Sequence, residues 1–172
     1  MAEKEKNAAV ELLKAENQLK AGASWFYWIA GLSLVNSVIA LWGDESRGGF
    51  VIGLGITQFI DGLGLLVAEK AEVLGKVVAI ALDVIVAGLF VLFGVFARKQ
   101  YKWAFIVGMV LYGLDALLFL LVSDFLSIGF HVFALFFIYA GYKAMSKLSM
   151  LEAAGPGSQV MPGGVPGAPP AK

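Results

Sequence analysis

Residues 77–97 read VVAIALDVIVAGLFVLFGVFA, an apolar run interrupted by one carboxylate, Asp83. A helix needs about 20 mainly apolar residues to cross a hydrocarbon core of roughly 30 Å, and this run is long enough. The whole chain has the same character, because hydrophobic residues make up 59% of it and charged residues 15%. An average soluble domain has about 45–50% and about 25%. The sequence therefore predicts an all-α integral membrane protein of a cell or inner membrane, with its sidedness left open.

Composition also excludes several kinds of chemistry. Cysteine is absent, which removes disulfides, thiolate metal sites and cysteine nucleophiles. The one histidine, His131, cannot form a bis-histidine site within one chain. Lys plus Arg equal Asp plus Glu at 13 each, so no net basic field would attract nucleic acid. Recognisable hydrolase, nucleotide-binding or metal motifs are missing as well. We therefore expect neither an enzyme nor a cofactor.

Five apolar segments, separated by short polar linkers, follow the charged N-terminal region. Trp25 and Trp42 bracket the first segment, and Trp103 opens the fourth, where amphipathic rings settle at the headgroup level. Short linkers make neighbouring helices antiparallel. The sequence thus predicts a transmembrane bundle over residues 25–147, with about five spans at 25–42, 50–68, 77–97, 103–122 and 128–144.

The second segment leaves an alternative open. It carries Gly53, Gly55, Gln58 and Asp61, and it could be a re-entrant segment instead of a span. That arrangement leaves four spans and places both chain ends on the same side. Basic residues would then divide seven to three between the two faces, which obeys the positive-inside rule better than the six to four of five spans.

The two ends of the chain differ from the bundle. Residues 1–24 carry charges of both signs and an apolar stripe, Ala8, Leu12, Ala15 and Leu19, at helical spacing. We expect an amphipathic helix that lies on the membrane surface, pairs with a partner, or serves only as a solvated lead-in. Residues 148–172 include all five prolines and many glycines, so they predict a disordered tail.

Ionisable residues inside apolar segments are the candidate functional residues, since each costs roughly 2.5–3.5 kcal/mol at mid-helix. In the five-span arrangement the three aspartates lie at similar depth below the N-terminal side, with the histidine somewhat shallower. Small residues at helical spacing accompany them, so they should face the bundle interior. The predicted polar cluster comprises Asp61, Asp83, Asp115, His131, Asn36 and Gln58.

Two interpretations of this cluster compete. In the structural one, the carboxyl groups are hydrogen-bonded and fix helix packing. The chain is then a non-enzymatic accessory or scaffold subunit whose partners are the bilayer and another membrane protein or further copies of itself. In the other, the aspartates bind a cation, a proton or a polar solute in a small transporter or ion-conducting protein.

Overall fold

The computed structural model describes residues 2–42, 54–121 and 123–154, and every regular element in these ranges is a helix. The helices are α1 (Ala2–Trp42), α2 (Gly55–Arg98), α3 (Lys102–Leu121) and α4 (Phe125–Ala154). The prediction of an all-helical chain is confirmed for these residues. Among the described residues, four helical stretches are long and apolar enough to cross a membrane: Glu5–Ile39, Val73–Arg98, Lys102–Leu121 and Phe125–Ala153.

The start of α1 and the end of α4 lie at the same end of the bundle. Gly22 of α1 faces Gly141 of α4 so closely that a Cβ atom added at Gly22 would lie 2.5 Å from the Gly141 Cα atom. Further out, the Lys147 ammonium contacts the Glu11 carboxylate. Five antiparallel spans would place these two ends on opposite faces. The geometry of the described residues therefore agrees with the four-span alternative rather than with five spans.

The course of helix α2 also agrees with the four-span alternative. Its 44 residues would extend about 66 Å if they were straight. However, Leu54, just before its first residue, donates its backbone N–H to the Ser33 hydroxyl, while Arg98, its last residue, donates to the Ser24 hydroxyl. Nine residues of α1 span only about 14 Å. Helix α2 must therefore change direction along its length, and it begins inside the bundle.

The polar residues 69–72 do not interrupt α2. They belong to the polar linker between the predicted spans 50–68 and 77–97. Glu, Lys and Ala are nevertheless good helix formers, and neither glycine nor proline occurs among these four residues. Helix α2 begins at Gly55, later than the segment 50–68 predicted, and residues 43–53 lie outside the described part of the chain.

The N-terminal amphipathic helix is continuous with the first predicted span. Leu19 and Ala15 of its apolar stripe are buried in the same core as Met145 and Leu148 of α4. These two residues of the stripe therefore pack on this chain's own last helix. Because α4 continues to Ala154, the predicted tail boundary at residue 148 is too early. Residues 155–172 lie outside the described residues.

The turns between α2, α3 and α4 are built alike. Gln100 and Ser123 adopt positive φ values of 64° and 57°. After α2, the Tyr101 and Gln100 N–H groups donate to the carbonyl oxygens of Phe96 and Ala97. This pairing is the Schellman motif, which satisfies the last carbonyls of a helix. Each turn reverses the chain within a few residues, so α3 runs antiparallel to the helices on either side.

Aromatic rings and a glycine pack the centre of the bundle. Phe26 of α1 lies with ring centroids 6.0 Å from Phe93 and 6.1 Å from Phe105. Its ring fits because α3 has Gly108 at this level, where a Cβ atom would lie 2.5 Å from Phe26 Cε1. This contact fixes the positions of α1, α2 and α3 relative to one another along their axes. It thereby aligns the buried polar groups that lie one to two turns further along these helices.

Candidate functional site

The candidate site is the first turn of α2, which begins among buried side chains. Leu54 is 1% exposed, and the neighbouring Gly55 and Thr57 are buried as well. The first N–H groups of any helix have no partner within the helix, and leaving them unpaired in an apolar interior is costly. Two groups of the bundle satisfy part of this need: Ser33 on α1 and Asp115 on α3. The Thr57 hydroxyl instead donates to the Leu54 carbonyl oxygen.

Asp115 caps this helix from across the bundle. Its Oδ2 atom accepts the Gly55 N–H at 2.8 Å, and its Oδ1 atom accepts the Ile56 N–H at 2.9 Å. A helix N-terminus carries roughly half a positive charge, so it favours a carboxylate at this position. The geometry is that of an N-cap, except that the carboxylate comes from another helix 59–60 residues away.

His131 of α4 completes the cluster. Its Nε2 atom lies 2.9 Å from Asp115 Oδ2, and its Nδ1 atom lies 2.8 Å from the Ser127 carbonyl oxygen. A carbonyl oxygen can only accept, so Nδ1 must carry a proton and donate it. One further proton then lies between Nε2 and Oδ2. The pair is neutral overall whichever atom holds that proton.

Aromatic rings pack around the Asp115–His131 pair. The Tyr112 ring stacks on the His131 imidazole with centroids 4.2 Å apart and planes 17° apart. Phe119 lies 5.1 Å from the same imidazole, and a Cβ atom at Gly55 would lie 2.8 Å from the Phe119 ring. The glycine therefore lets an aromatic ring cover the helix start. His131 is 0% exposed and Asp115 7%.

A cavity of about 330 Å³ adjoins the cluster between α2 and α3. Asp115 is its one ionisable lining residue, and the remaining side chains are apolar. A cavity without several polar partners does not hold water well. The lining is Leu54, Ile56, Val86, Leu89, Phe90, Leu111, Leu114, Asp115 and Leu118.

The structure brings together only part of the predicted polar cluster. Asp115 and His131 are in direct contact, whereas Asp83 is 1% exposed and its two oxygens have no hydrogen-bond partner among the described residues. Asn36 lies half-buried on α1 and makes polar contact of its own. The backbone of Gln58 and Asp61 belongs to α2, and their side chains lie outside the described part of the structure.

Sequence reasoning missed the backbone half of the site. The Gly55 and Ile56 N–H groups are the main partners of Asp115. Because these groups belong to the backbone, no side-chain pattern in the sequence indicates them. Two signals were present in retrospect. Thr57 follows Leu54 at the spacing of a hydroxyl that returns to a helix-start carbonyl, and Ser127 precedes His131 by one helical turn.

Within the described ranges, no three His, Asp or Glu side chains are grouped closely enough to hold a metal ion. Comparison with protein-family models, curated proteins and solved structures finds no match for this chain. The contacts above are therefore the basis for the functional conclusion.

Proposed function

We propose that this chain is an integral membrane protein that crosses the bilayer four times and acts as a non-enzymatic accessory or scaffold subunit of a membrane complex. The observation that carries the proposal is that both oxygens of the Asp115 carboxylate are already hydrogen-bonded within the chain. Both of its oxygens accept backbone N–H groups, and one also contacts His131. A carboxylate engaged in this way holds a helix in place and has little capacity left for a transported ion.

The outer surface supports placement in a bilayer. Large apolar side chains face outward along α2, α3 and α4, and a membrane core is the environment in which such a belt is stable. Leu92, Leu117 and Phe136, from three different helices, are each more than half exposed. The Asp115–His131 pair is shielded behind this belt and is uncharged overall, which limits the cost of burying it.

Basic residues gather at one end of the bundle and indicate its orientation. That end holds both the start of α1 and the end of α4, together with the turn between α2 and α3. Short basic regions beside transmembrane helices stay on the cytoplasmic side. We place both described ends of the chain there. The residues are Lys14, Lys20, Arg98, Lys99, Lys102, Lys143 and Lys147.

A two-helix extension beyond the apolar belt offers a contact surface for a partner subunit. It consists of residues 5–21 of α1 packed on residues 142–153 of α4. Its inner side buries Leu19 and Leu148, and on its outer side Val10 is 39% exposed and Leu13 59%. These two exposed apolar residues lie one turn apart among charged neighbours, outside the apolar segment that begins at Trp25.

The test is purification in a mild detergent followed by measurement of the mass and subunit stoichiometry of the intact complex. The proposal expects a partner, or further copies of this chain, in fixed ratio. The double substitution Val10→Glu with Leu13→Glu should release it while the bundle stays folded, and Asn7→Glu on the same extension is the control. A monomer that shows ion flux in liposomes would contradict the proposal.

Asp83 supports a second candidate function, proton conduction. Its carboxyl group is buried and has no hydrogen-bond partner among the described residues, so it is a group that could take up and release a proton within the span. If the chain conducts protons, Asp83→Asn should abolish pH-driven flux in liposomes without loss of folded protein. If wild type shows no flux above protein-free liposomes, this candidate is refuted.

A further inference from the structure

A cavity of about 610 Å³ lies on the outer side of α4, where that helix meets α1. It combines a basic end with an aromatic and apolar wall. Lys143 and Lys147 are at the basic end, with Gln18 of α1 and Ser146 as polar neighbours. Phe136 and Tyr139 lie one to three turns away along α4 and form the wall.

The position of this cavity corresponds to the edge of the apolar belt. Gly141, within the cavity's span of α4, touches Gly22 of α1, three residues before the apolar segment begins at Trp25. Arg98 lies at the same level, since it donates to Ser24 and covers the Tyr27 ring. In the proposed orientation this is the headgroup level of the cytoplasmic leaflet.

The charges around the cavity leave a cation without an acidic partner. Lys147 contacts Glu11, which also pairs with Lys14. Lys143 has no acidic partner among the described residues, and its ammonium lies 5.7 Å from the centre of the Tyr139 ring. Glu16 is paired with Lys20. An anion at Lys143 would therefore meet net positive charge.

We infer that this cavity binds the headgroup of an anionic phospholipid. Lys143 holds the phosphate, Gln18 donates a hydrogen bond from its side-chain amide, and an acyl chain descends along Phe136 and Tyr139. A basic pocket beside a helix crossing, with an apolar wall towards the hydrocarbon, has the chemistry that such a lipid requires. The inference rests on the proposed membrane placement but not on the scaffold role.

The test measures lipid binding to the purified full-length chain in detergent micelles by native mass spectrometry. Phosphatidylglycerol and phosphatidylcholine with identical acyl chains are the probes. Wild type should bind phosphatidylglycerol more tightly, and Lys143→Gln should reduce its affinity about fivefold, the factor that corresponds to about 1 kcal/mol for one basic residue at an anionic surface. Lys102→Gln, an exposed lysine at the same end but remote from the cavity, should leave it unchanged.

Inorganic phosphate added in excess separates a lipid site from a simple anion site. A lipid site should retain phosphatidylglycerol, because the acyl chain contributes to its binding. Displacement of the lipid by phosphate, equal affinity for the two lipids, or an equal loss in Lys102→Gln and Lys143→Gln would each overturn the inference. Because binding is read in micelles, these outcomes leave the membrane topology to be tested separately by labelling.

Discussion

Replacement of Asp115 by Asn should destabilise the bundle even though the two side chains have nearly the same volume. The Asn amide has one oxygen and one NH₂ group, whereas both Asp115 oxygens accept backbone N–H groups. Whichever way the amide turns, its NH₂ group faces either the Gly55 N–H or the Ile56 N–H. One buried donor then loses its acceptor, at a cost of about 1–3 kcal/mol.

Asp115→Leu removes both acceptors at once. Two backbone donors are then unpaired, and the expected loss is about 2–6 kcal/mol by the same cost per group. The order of stability should therefore be wild type, then Asn, then Leu. Asp124→Asn is the matched control, because Asp124 caps α4 through the Leu126 and Ser127 N–H groups at an exposed turn, and Asn is an equally good residue there.

The assay is equilibrium unfolding in mixed micelles with increasing denaturing detergent, followed by helix content. Amide hydrogen exchange at Gly55 and Ile56 gives a local readout, and both amides should exchange faster in Asp115→Asn than in wild type. If Asp115→Asn and Asp115→Leu both unfold with wild-type free energy, Asp115 does not cap α2 and the site described above is incorrect.

Three further predictions concern the contacts between α1 and α4 and the turn after α2. Gly22→Ala should prevent α1 from meeting α4, because the added Cβ would lie 2.5 Å from a backbone atom of α4. Gly31→Ala is the control and should be tolerated, because a Cβ there would have nothing within 4 Å. The yield of folded, monodisperse protein distinguishes the two variants. Gln100→Gly should raise the free energy of unfolding by about 1 kcal/mol, since glycine adopts positive φ without strain. Lys147 lowers the pKa of Glu11 through its hydrogen bond, so the contribution of this pair is complete at neutral pH and is lost as the pH falls through the lowered pKa. Glu11→Lys should weaken the extension, and Glu11→Lys with Lys147→Glu should restore it, as measured by proteolysis of the extension.

Periodicity and length were sufficient to predict the helices α1, α3 and α4. The segments around Trp25, Trp103 and His131 are strongly apolar and bounded by polar residues, and both features depend on local sequence alone. Their ends were less predictable. A helix continues into polar sequence as long as its residues are good helix formers, and this is why α4 extends past residue 148.

The course of α2 could not be derived from local sequence. A segment such as 50–68 satisfies the length criterion for a span. That criterion cannot distinguish a first turn at the membrane surface from a first turn inside the protein. The deciding contacts come from Ser33 and Asp115, which belong to other helices. The local indications of a buried start were its glycines, Gln58 and the hydroxyl of Thr57.

For the polar cluster too, local sequence identified the residues but not their contacts. Asp83, Asp115 and His131 could be singled out because charge is costly in an apolar segment. Which of them meet depends on helix register, and the five-span arrangement gave equal depth to three aspartates on different helices. In the structure, Asp115 instead reaches a histidine on α4 and a backbone on α2.

Single-cysteine labelling in sealed vesicles tests the four-pass topology most directly, because the chain has no native cysteine. Cysteine replaces Asn17, Gln100, Ser123 or Ser149, each exposed and outside the apolar belt. A membrane-impermeant reagent should label positions 17, 100 and 149 from one side and position 123 from the other. Labelling of positions 17 and 149 from opposite sides would contradict the four-pass arrangement.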